Sequence, residues 1–340
     1  MIRRSLFILC AFITLNILLN LVMLPWIKPG KKGYQFTVPR AGTGFFHNRG
    51  LKFFDSDSKG FVSTNSEGFR NGKTEDYGNA VFIFGDSQVD LFSRNESLIN
   101  SFLEKRFGTP FVNASCISFS GVQEYILLKK CAEEYGLKKA MIFIYAGNDM
   151  FQNSQESLYE PWMGDDGVIT APAKLKRDGP LWYFLLYSFL YSRNLQRKLA
   201  RPDLWSDLMF GYQFRASRTD IETLKRRTGL LFERFAALAK EKGIKMRFFI
   251  IPALPEIDRE ITEDLRKEVF SSAAELDELK EHLAAARHFI SSKLASLGLE
   301  CIDLFDYLKI RSSGRYYDKS NFHVKSCFYE EISSENFWDF

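Results

Sequence analysis

From residue 79 onward, hydrophobic residues form short continuous runs that alternate with longer stretches where apolar residues recur at helical spacing. The short runs predict buried strands at Asn79–Phe84, Phe111–Val112, Lys139–Tyr145, Lys245–Ile251 and Cys301–Leu304. The longer stretches predict helices at Leu91–Phe107, Gln123–Tyr135 and Lys325–Glu335, and a helix that is capped by Thr219 and runs to Lys242. The stretch Glu263–Leu297 predicts two helices with a break near Ser271 and Ser272. Such alternation predicts an α/β fold with a parallel sheet and helices on both faces.

The start of the chain is a continuous apolar segment. After Arg3 and Arg4, residues 5–27 carry no charge, and the segment is long enough to supply the about 20 residues that a membrane-spanning helix needs. It ends at Trp26 and Ile27 without the small-residue exit of a cleaved signal peptide. We therefore predict a signal anchor, or transmembrane helix, over 1–27 and an extended arm over 28–75. A cleaved signal sequence is the alternative.

The rest of the chain, 76–340, is predicted to form one domain with an insertion over 151–217. The insertion contains Pro161, a turn at Gly164–Gly167 and an aromatic stretch from Leu181 to Leu199. An insertion next to a sheet strand often forms a lid or a substrate wall. A helix packed on the core would explain the aromatic stretch equally well, so both interpretations stay open.

Composition narrows the functional classes. The 340 residues carry a formal charge of +4 without a dense basic stripe, which argues against nucleic acid as a partner. The five cysteines are irregularly spaced with no CxxC pair, and no His-Glu-x-x-His motif or other metal-ligand cluster occurs in the sequence. We therefore predict that the protein needs neither a metal nor another cofactor.

The segment Gly85-Asp86-Ser87 directly follows the first predicted strand of the domain. A turn at the carboxyl end of a strand presents its side chains at the sheet edge where α/β proteins keep their chemistry. A serine hydroxyl becomes a nucleophile when a base removes its proton, and histidine is the usual base. The histidines are His47, His282, His288 and His323. His323 follows the last strand, so its loop is expected at the same edge as Ser87.

These segments resemble the conserved blocks of the SGNH (GDSL-type) hydrolase superfamily. Gly85-Asp86-Ser87 matches the nucleophile block, Ala146-Gly147-Asn148-Asp149 matches the Gly-x-Asn block, and Asp318 to His323 matches the late Asp-x-x-His block loosely. The resemblance covers about residues 79–335 and implies a three-layer, flavodoxin-like sheet. The segment Asn65–Arg70 also resembles the lead-in of membrane-anchored members.

The resemblance implies roles for individual residues. Ser87 would be the nucleophile and His323 the general base and acid, while the Asn148 amide would belong to the oxyanion hole. The family places a glycine of that hole where this chain has Ser118, which still carries a backbone N–H. Gly121 could take that place if the loop is shifted.

The acid that would orient the histidine departs furthest from the family pattern. The family places an aspartate two or three residues before the histidine, where this chain has Asn321 and Ser320, and the nearest carboxylate is Asp318. Asp318 would complete a triad if the loop bulges. Asn321 could orient the ring but could not offset its charge.

Together these features predict a serine esterase that works through an acyl-enzyme. The resemblance to membrane-anchored members implies O-acetyl or similar ester groups of cell-surface polysaccharide as its substrates. The membrane is an expected partner through residues 5–27, and the domain is expected to face the periplasm or the cell exterior. Two alternatives are an O-acyltransferase on the same class of glycan and a catalytically silent SGNH domain that binds glycan.

Overall fold

The computed structural model describes residues 37–40, 43–55, 60–70, 77–90, 94–117, 119–154, 161–170, 220–258, 273–310, 313–317 and 323–338. Within these ranges, no helix is both long enough and apolar enough to cross a membrane. The predicted anchor over 1–27 and the aromatic stretch from Leu181 to Leu199 lie outside the described residues. The helix predicted to be capped by Thr219 is capped by Asp220, whose side chain accepts the N–H of Glu222 at 3.2 Å.

The described strands are β1 (Thr37–Arg40), β2 (Gly44–His47), β3 (Lys52–Asp55), β4 (Gly60–Ser63), β5 (Val81–Phe84), β6 (Phe111–Asn113), β7 (Lys139–Tyr145), β8 (Trp162–Met163), β9 (Ile169–Thr170), β10 (Lys245–Ile251) and β11 (Glu300–Asp303). In the arm, β1 pairs with β2 and β3 pairs with β4, both antiparallel. The arm therefore contains two small sheets that its sequence pattern does not predict. In the insertion, the predicted Gly164–Gly167 turn joins the antiparallel strands β8 and β9.

Five strands form the main sheet, in the order β11-β10-β7-β5-β6, and all neighbouring pairs are parallel. This is the strand order of a flavodoxin-like, doubly wound sheet. The predicted α/β class and parallel sheet are confirmed. The longest strands, β7 and β10, have the predicted bounds.

The described helices are α1 (Ile99–Phe107), α2 (Gly121–Tyr135), α3 (Asp149–Ser154), α4 (Ile221–Lys242), α5 (Leu254–Ile257), α6 (Ala273–Ser296), α7 (Phe305–Ile310), α8 (Ser313–Tyr316) and α9 (Ser326–Ile332). The helix predicted from Leu91 begins only at Ile99. The Asn95 side chain accepts the N–H of Ser63 at 3.0 Å and donates to its carbonyl oxygen at 2.9 Å. This tertiary contact holds residues 95–97 in a separate 3₁₀ turn.

Side chains of the sheet alternate between two hydrophobic cores, as the period of a strand requires. On one face, Phe82, Ile142 and Phe248 pack with residues of α2 and α4. On the other face, their neighbours in sequence pack with residues of α1, α9 and the first half of α6. The sheet is therefore covered on both sides, which is the condition under which parallel strands are stable.

The strand order places a topological switch point between β5 and β7. The chain leaves β5 for β6 at one edge of the sheet, and it leaves β7 for β10 on the other side. In open α/β sheets, ligands bind outside the carboxyl ends of the strands at such a point. Ser87 follows β5 and Asn148 follows β7, so both lie there.

Candidate active site

The turn that carries Ser87 begins with a close backbone approach. A Cβ atom at Gly85 would lie 2.6 Å from Val89 Cγ2 and 3.3 Å from Phe143 Cβ, so the turn requires glycine at this position. The N–H groups of Val89 and Asp90 donate to the Asp86 carbonyl oxygen at 3.1 and 2.9 Å. The turn is tight and mostly buried, while Ser87 itself remains partly exposed.

His323 lies directly against Ser87. The distance from His323 Nε2 to Ser87 Oγ is 2.8 Å, although the residues are 236 positions apart. The neighbouring Val324 donates its N–H to Gln88 Oε1 at 2.9 Å and forms a bridge with Tyr317. These contacts fix the histidine next to the turn. An Nε2 atom without a proton could accept the serine proton in this arrangement.

The residues considered as the orienting acid, Asp318 and Asn321, lie outside the described residues. Ser118 of the expected oxyanion loop also lies outside them. Their assignments stay predictions. The described part of the site consists of the turn around Ser87, His323 and the segments that follow β6 and β7.

Gly121, the alternative oxyanion residue, is the first residue of α2 rather than part of the preceding loop. A Cβ atom there would lie 3.1 Å from both Asn153 Oδ1 and Leu231 Cδ2. Ser120, just before it, donates its N–H to Gln123 Oε1 at 3.0 Å. Gly121 therefore contacts α3 and α4, and its role in an oxyanion hole stays a prediction.

Asn148 follows β7 in a turn that is fixed by its neighbour. Asp149 Oδ2 accepts the N–H of Tyr145 at 2.8 Å, which folds the chain back at the end of the strand. Asn148 is 7% exposed, and its Oδ1 atom has no hydrogen-bond partner among the described residues. A cavity of about 30 Å³ adjoins it. The apolar side chains that line this cavity include Phe151, Leu224 and Ala286.

A group of buried acids includes Asp86 of the Ser87 turn together with Glu124 and Asp149. Burial raises the pKa of Asp86 to about 7, against the opposing effect of the Gln88 N–H that donates to it at 2.8 Å. Burial raises the pKa values of Glu124 and Asp149 well above their usual range, and the proximity of Asp86 adds to both shifts. Neither carboxyl oxygen of Glu124 has a partner among the described residues. These acids favour the neutral form.

Asp90, at the end of the same turn, is surrounded differently. It accepts from Arg70 Nη1 at 2.6 Å and from His47 Nε2 at 2.7 Å, and all three side chains are 0% exposed. Burial opposes ionisation of Asp90, but His47 and Arg70 outweigh it and lower the pKa of this carboxyl. From the sequence, His47 is known only to lie in the arm over 28–75. No spacing in the sequence indicates its contact with Asp90, which is 43 positions later.

His47, Asp90 and Cys116 form a buried group of side chains that could in principle hold a metal ion. Their present contacts do not favour one. Asp90 already pairs with Arg70, whose charge would repel a cation. Burial also raises the pKa of the Cys116 thiol well above its usual value, so the thiolate that binds metals is disfavoured. The group is better described as an ion-pair network.

No protein-family model and no curated protein sequence matches the chain. Among solved structures, it is similar to a lipolytic protein of the G-D-S-L family from Desulfitobacterium hafniense (12% identity, TM-score 0.39), covering 75% of this chain and 95% of that one. A lipase/acylhydrolase from Enterococcus faecalis (12% identity, TM-score 0.37) covers 75% and 92%. The acetyl xylan esterase AlAXEase (9% identity, TM-score 0.40) covers 75% and 96%.

With identities and TM-scores this low, the fold assignment rests on the strand order of this chain. The assignment of the site rests likewise on its own contacts, above all that between Ser87 and His323.

Proposed function

We propose that this protein is a serine esterase of the SGNH type that works through an acyl-enzyme. The observation that carries the proposal is the 2.8 Å contact between Ser87 Oγ and His323 Nε2 at the switch point of the sheet. A nucleophile within hydrogen-bond reach of a base is the geometric signature of covalent catalysis. The same contact favours an enzyme over a silent binding domain.

The proposed reaction has two halves. Ser87 Oγ attacks the ester carbonyl while His323 Nε2 takes its proton, and the resulting oxyanion accepts hydrogen bonds from the Ser87 N–H, the segment 118–121 and the Asn148 amide. The intermediate then releases the alcohol, which receives the proton from His323. Water, activated by the same histidine, attacks the acyl-serine and releases the carboxylic acid.

The proposed substrates are O-acetyl or similarly small esters of cell-surface polysaccharide. The mainly apolar side chains that line the cavity next to Asn148 support a small acyl group such as acetyl. Residues 5–27 would anchor the protein in a membrane, with the domain in the periplasm or outside the cell.

An acyltransferase would use the same acyl-enzyme with a sugar hydroxyl in place of water.

Reaction with a fluorophosphonate probe tests the nucleophile. We expect the wild-type protein to be labelled and Ser87→Ala to remain unlabelled. Ser296→Ala is a matched control, because Ser296 is an exposed serine at the far end of α6. It should be labelled as the wild type is. A wild-type protein that does not react would exclude the proposed function.

The preference for short over long acyl chains tests whether the site accepts a small acyl group. We expect the wild type to hydrolyse p-nitrophenyl acetate with a higher kcat/KM than p-nitrophenyl hexanoate. Leu224→Ala should enlarge the cavity and raise the relative rate for hexanoate. Leu238→Ala removes a buried leucine of the same helix that does not line the cavity, so it should leave the preference unchanged. Equal rates for both esters in the wild type would contradict the proposed role of the cavity. Acetate release with and without an acceptor sugar separates hydrolysis from transfer.

A further inference from the structure

Asp90 lies three residues after Ser87 in the same turn and is completely buried. Its Oδ1 atom accepts from Arg70 Nη1, and its Oδ2 atom accepts from His47 Nε2. The backbone N–H of Ile117 also donates to Oδ2, at 3.2 Å. One carboxylate therefore joins three separate parts of the chain.

The arm supplies both side chains that contact Asp90, Arg70 and His47, and it is closely packed there. His47 Nδ1 lies 3.2 Å from the Gly68 carbonyl oxygen. Gly68 has a φ of +94°, and a Cβ atom there would lie 2.7 Å from the His47 carbonyl oxygen. Only glycine adopts this backbone at such a short distance without strain. The position of His47 is therefore set by the backbone of the arm.

The loop after β6 is attached to the serine turn at two points. Cys116 donates its N–H to the Gly85 carbonyl oxygen at 3.0 Å, and Ile117 donates to Asp90. Ile117 directly precedes Ser118, the residue expected at the oxyanion hole. The Asp90 carboxylate thus sets how the serine turn and the start of this loop face each other.

We propose that Asp90, held by His47 and Arg70, is a positioning residue for the reaction proposed above, so that the arm is part of the active unit. The inference rests on the proposed function. Asp90 touches neither substrate nor the reacting atoms in this role. It acts by fixing the backbone that carries Ser87 relative to Cys116 and Ile117 of the loop after β6, and small displacements of reacting groups change rates strongly.

Asp90→Asn is the direct test, because an amide cannot replace this carboxylate. Its single oxygen can accept from one side, and its NH₂ group must then face a donor, either Arg70 or His47 with Ile117. We expect kcat on p-nitrophenyl acetate to fall by about 100-fold with a smaller change in KM. Rates are expressed per active site, with the number of sites measured by fluorophosphonate labelling taken to completion.

Glu256→Gln is the matched control. Glu256 is another buried carboxylate, paired with Arg287 at 3.0 Å, after strand β10. We expect this variant to lower the urea midpoint of unfolding but to keep the wild-type kcat per labelled site. If Asp90→Asn also keeps a kcat within about twofold of the wild type, Asp90 has only a structural role and the inference is wrong.

His47→Leu is a second variant that tests the same inference if Asp90→Asn does not fold. Arg70 still offsets the charge of Asp90 in this variant, while one donor to Oδ2 is lost. We expect a folded protein with kcat about tenfold lower, and an unchanged kcat would overturn the inference. A wild-type protein that fluorophosphonate does not label would instead overturn the proposed function, and this inference with it.

Discussion

Two buried groups of side chains near the Ser87 turn differ in how burial affects their acids. In the first group, Asp90 is bound by Arg70 and His47 and has a lowered pKa. In the second group, Glu124 and Asp149 have raised pKa values, and both oxygens of Glu124 and one of Asp149 have no partner among the described residues. Both groups are almost completely shielded from solvent. The presence of a cation, rather than the depth of burial, decides which acid is charged.

The two groups also differ in which parts of the chain they link. The charges that stabilise ionised Asp90 come from the arm, so the ion pairs fasten the arm to the serine turn. After burial, the largest effects on the pKa of Asp149 come from two other acids, Asp86 and Glu124, which disfavour its charged form more than the Tyr145 N–H favours it. Removing the arginine of the first group should therefore destabilise the protein, whereas replacing an acid of the second group by its amide should stabilise it above about pH 4.

The largest expected effect comes from Arg70→Met. This variant keeps much of the side-chain volume but leaves Asp90 buried without its arginine partner. Breaking a buried pair by removing one partner typically costs about 3–5 kcal/mol. We expect a decrease of that size in the free energy of unfolding, measured by urea denaturation at neutral pH.

Arg49→Met is the control for Arg70→Met within the same arm. Arg49 is 61% exposed, and its closest approach to Glu67 is 3.7 Å. Exposed pairs of this kind contribute at most about 1 kcal/mol. If both variants lose the same stability, the buried network is not special and the comparison between the two groups of acids fails.

The contrast between these groups could not be predicted from the sequence, whereas the scaffold around them could. The runs at Lys139–Tyr145 and Lys245–Ile251 have strand bounds that the structure reproduces, because local apolar pattern decides them. The expected meeting of Ser87 and His323 followed from the rule that loops after parallel strands share one edge. Both inferences need only local pattern and topology.

The contacts of individual side chains cannot be predicted from the local apolar pattern alone. His47 lies in a short strand that the sequence does not predict, and its contact with Asp90 depends on how the arm folds onto the domain. The start of α1 at Ile99 similarly follows from a contact between Asn95 and the arm strand β4. Long-range packing of the arm decides these features, and residue spacing carries no information about it.

Glu124→Gln should give the second largest effect, and of the opposite sign. Gln keeps the shape of the side chain without an ionisable group. Because the folded-state pKa of Glu124 is raised, the wild type loses stability as pH rises above the unfolded pKa of about 4. The variant should gain stability relative to the wild type at about pH 8, with little difference at about pH 4. Urea denaturation at both pH values measures this.

Glu134→Gln is the matched control for Glu124→Gln on the same helix. The Glu134 side chain is 47% exposed and lies 3.5 Å from Lys130. Its substitution should change stability by no more than about 0.5 kcal/mol, with little dependence on pH in this range. A loss of stability in Glu124→Gln at about pH 8 would instead show that a charged Glu124 is stabilised by a partner.

Asp86→Asn should give a smaller effect, because the pKa of Asp86 is raised only to about 7. Asn keeps an oxygen that can accept the Gln88 N–H. In the wild type, the folded state holds this proton more tightly than the unfolded chain, so the stabilisation is complete below about pH 4 and is lost as pH rises through about 7. The free energy of unfolding of the variant should therefore decline less between those pH values than that of the wild type. Asp90 behaves in the opposite way, because its pKa is lowered and its contribution to stability is lost as pH falls. Urea denaturation across this pH range measures the slope, and an unchanged slope in Asp86→Asn would mean that Asp86 is already ionised in the folded protein.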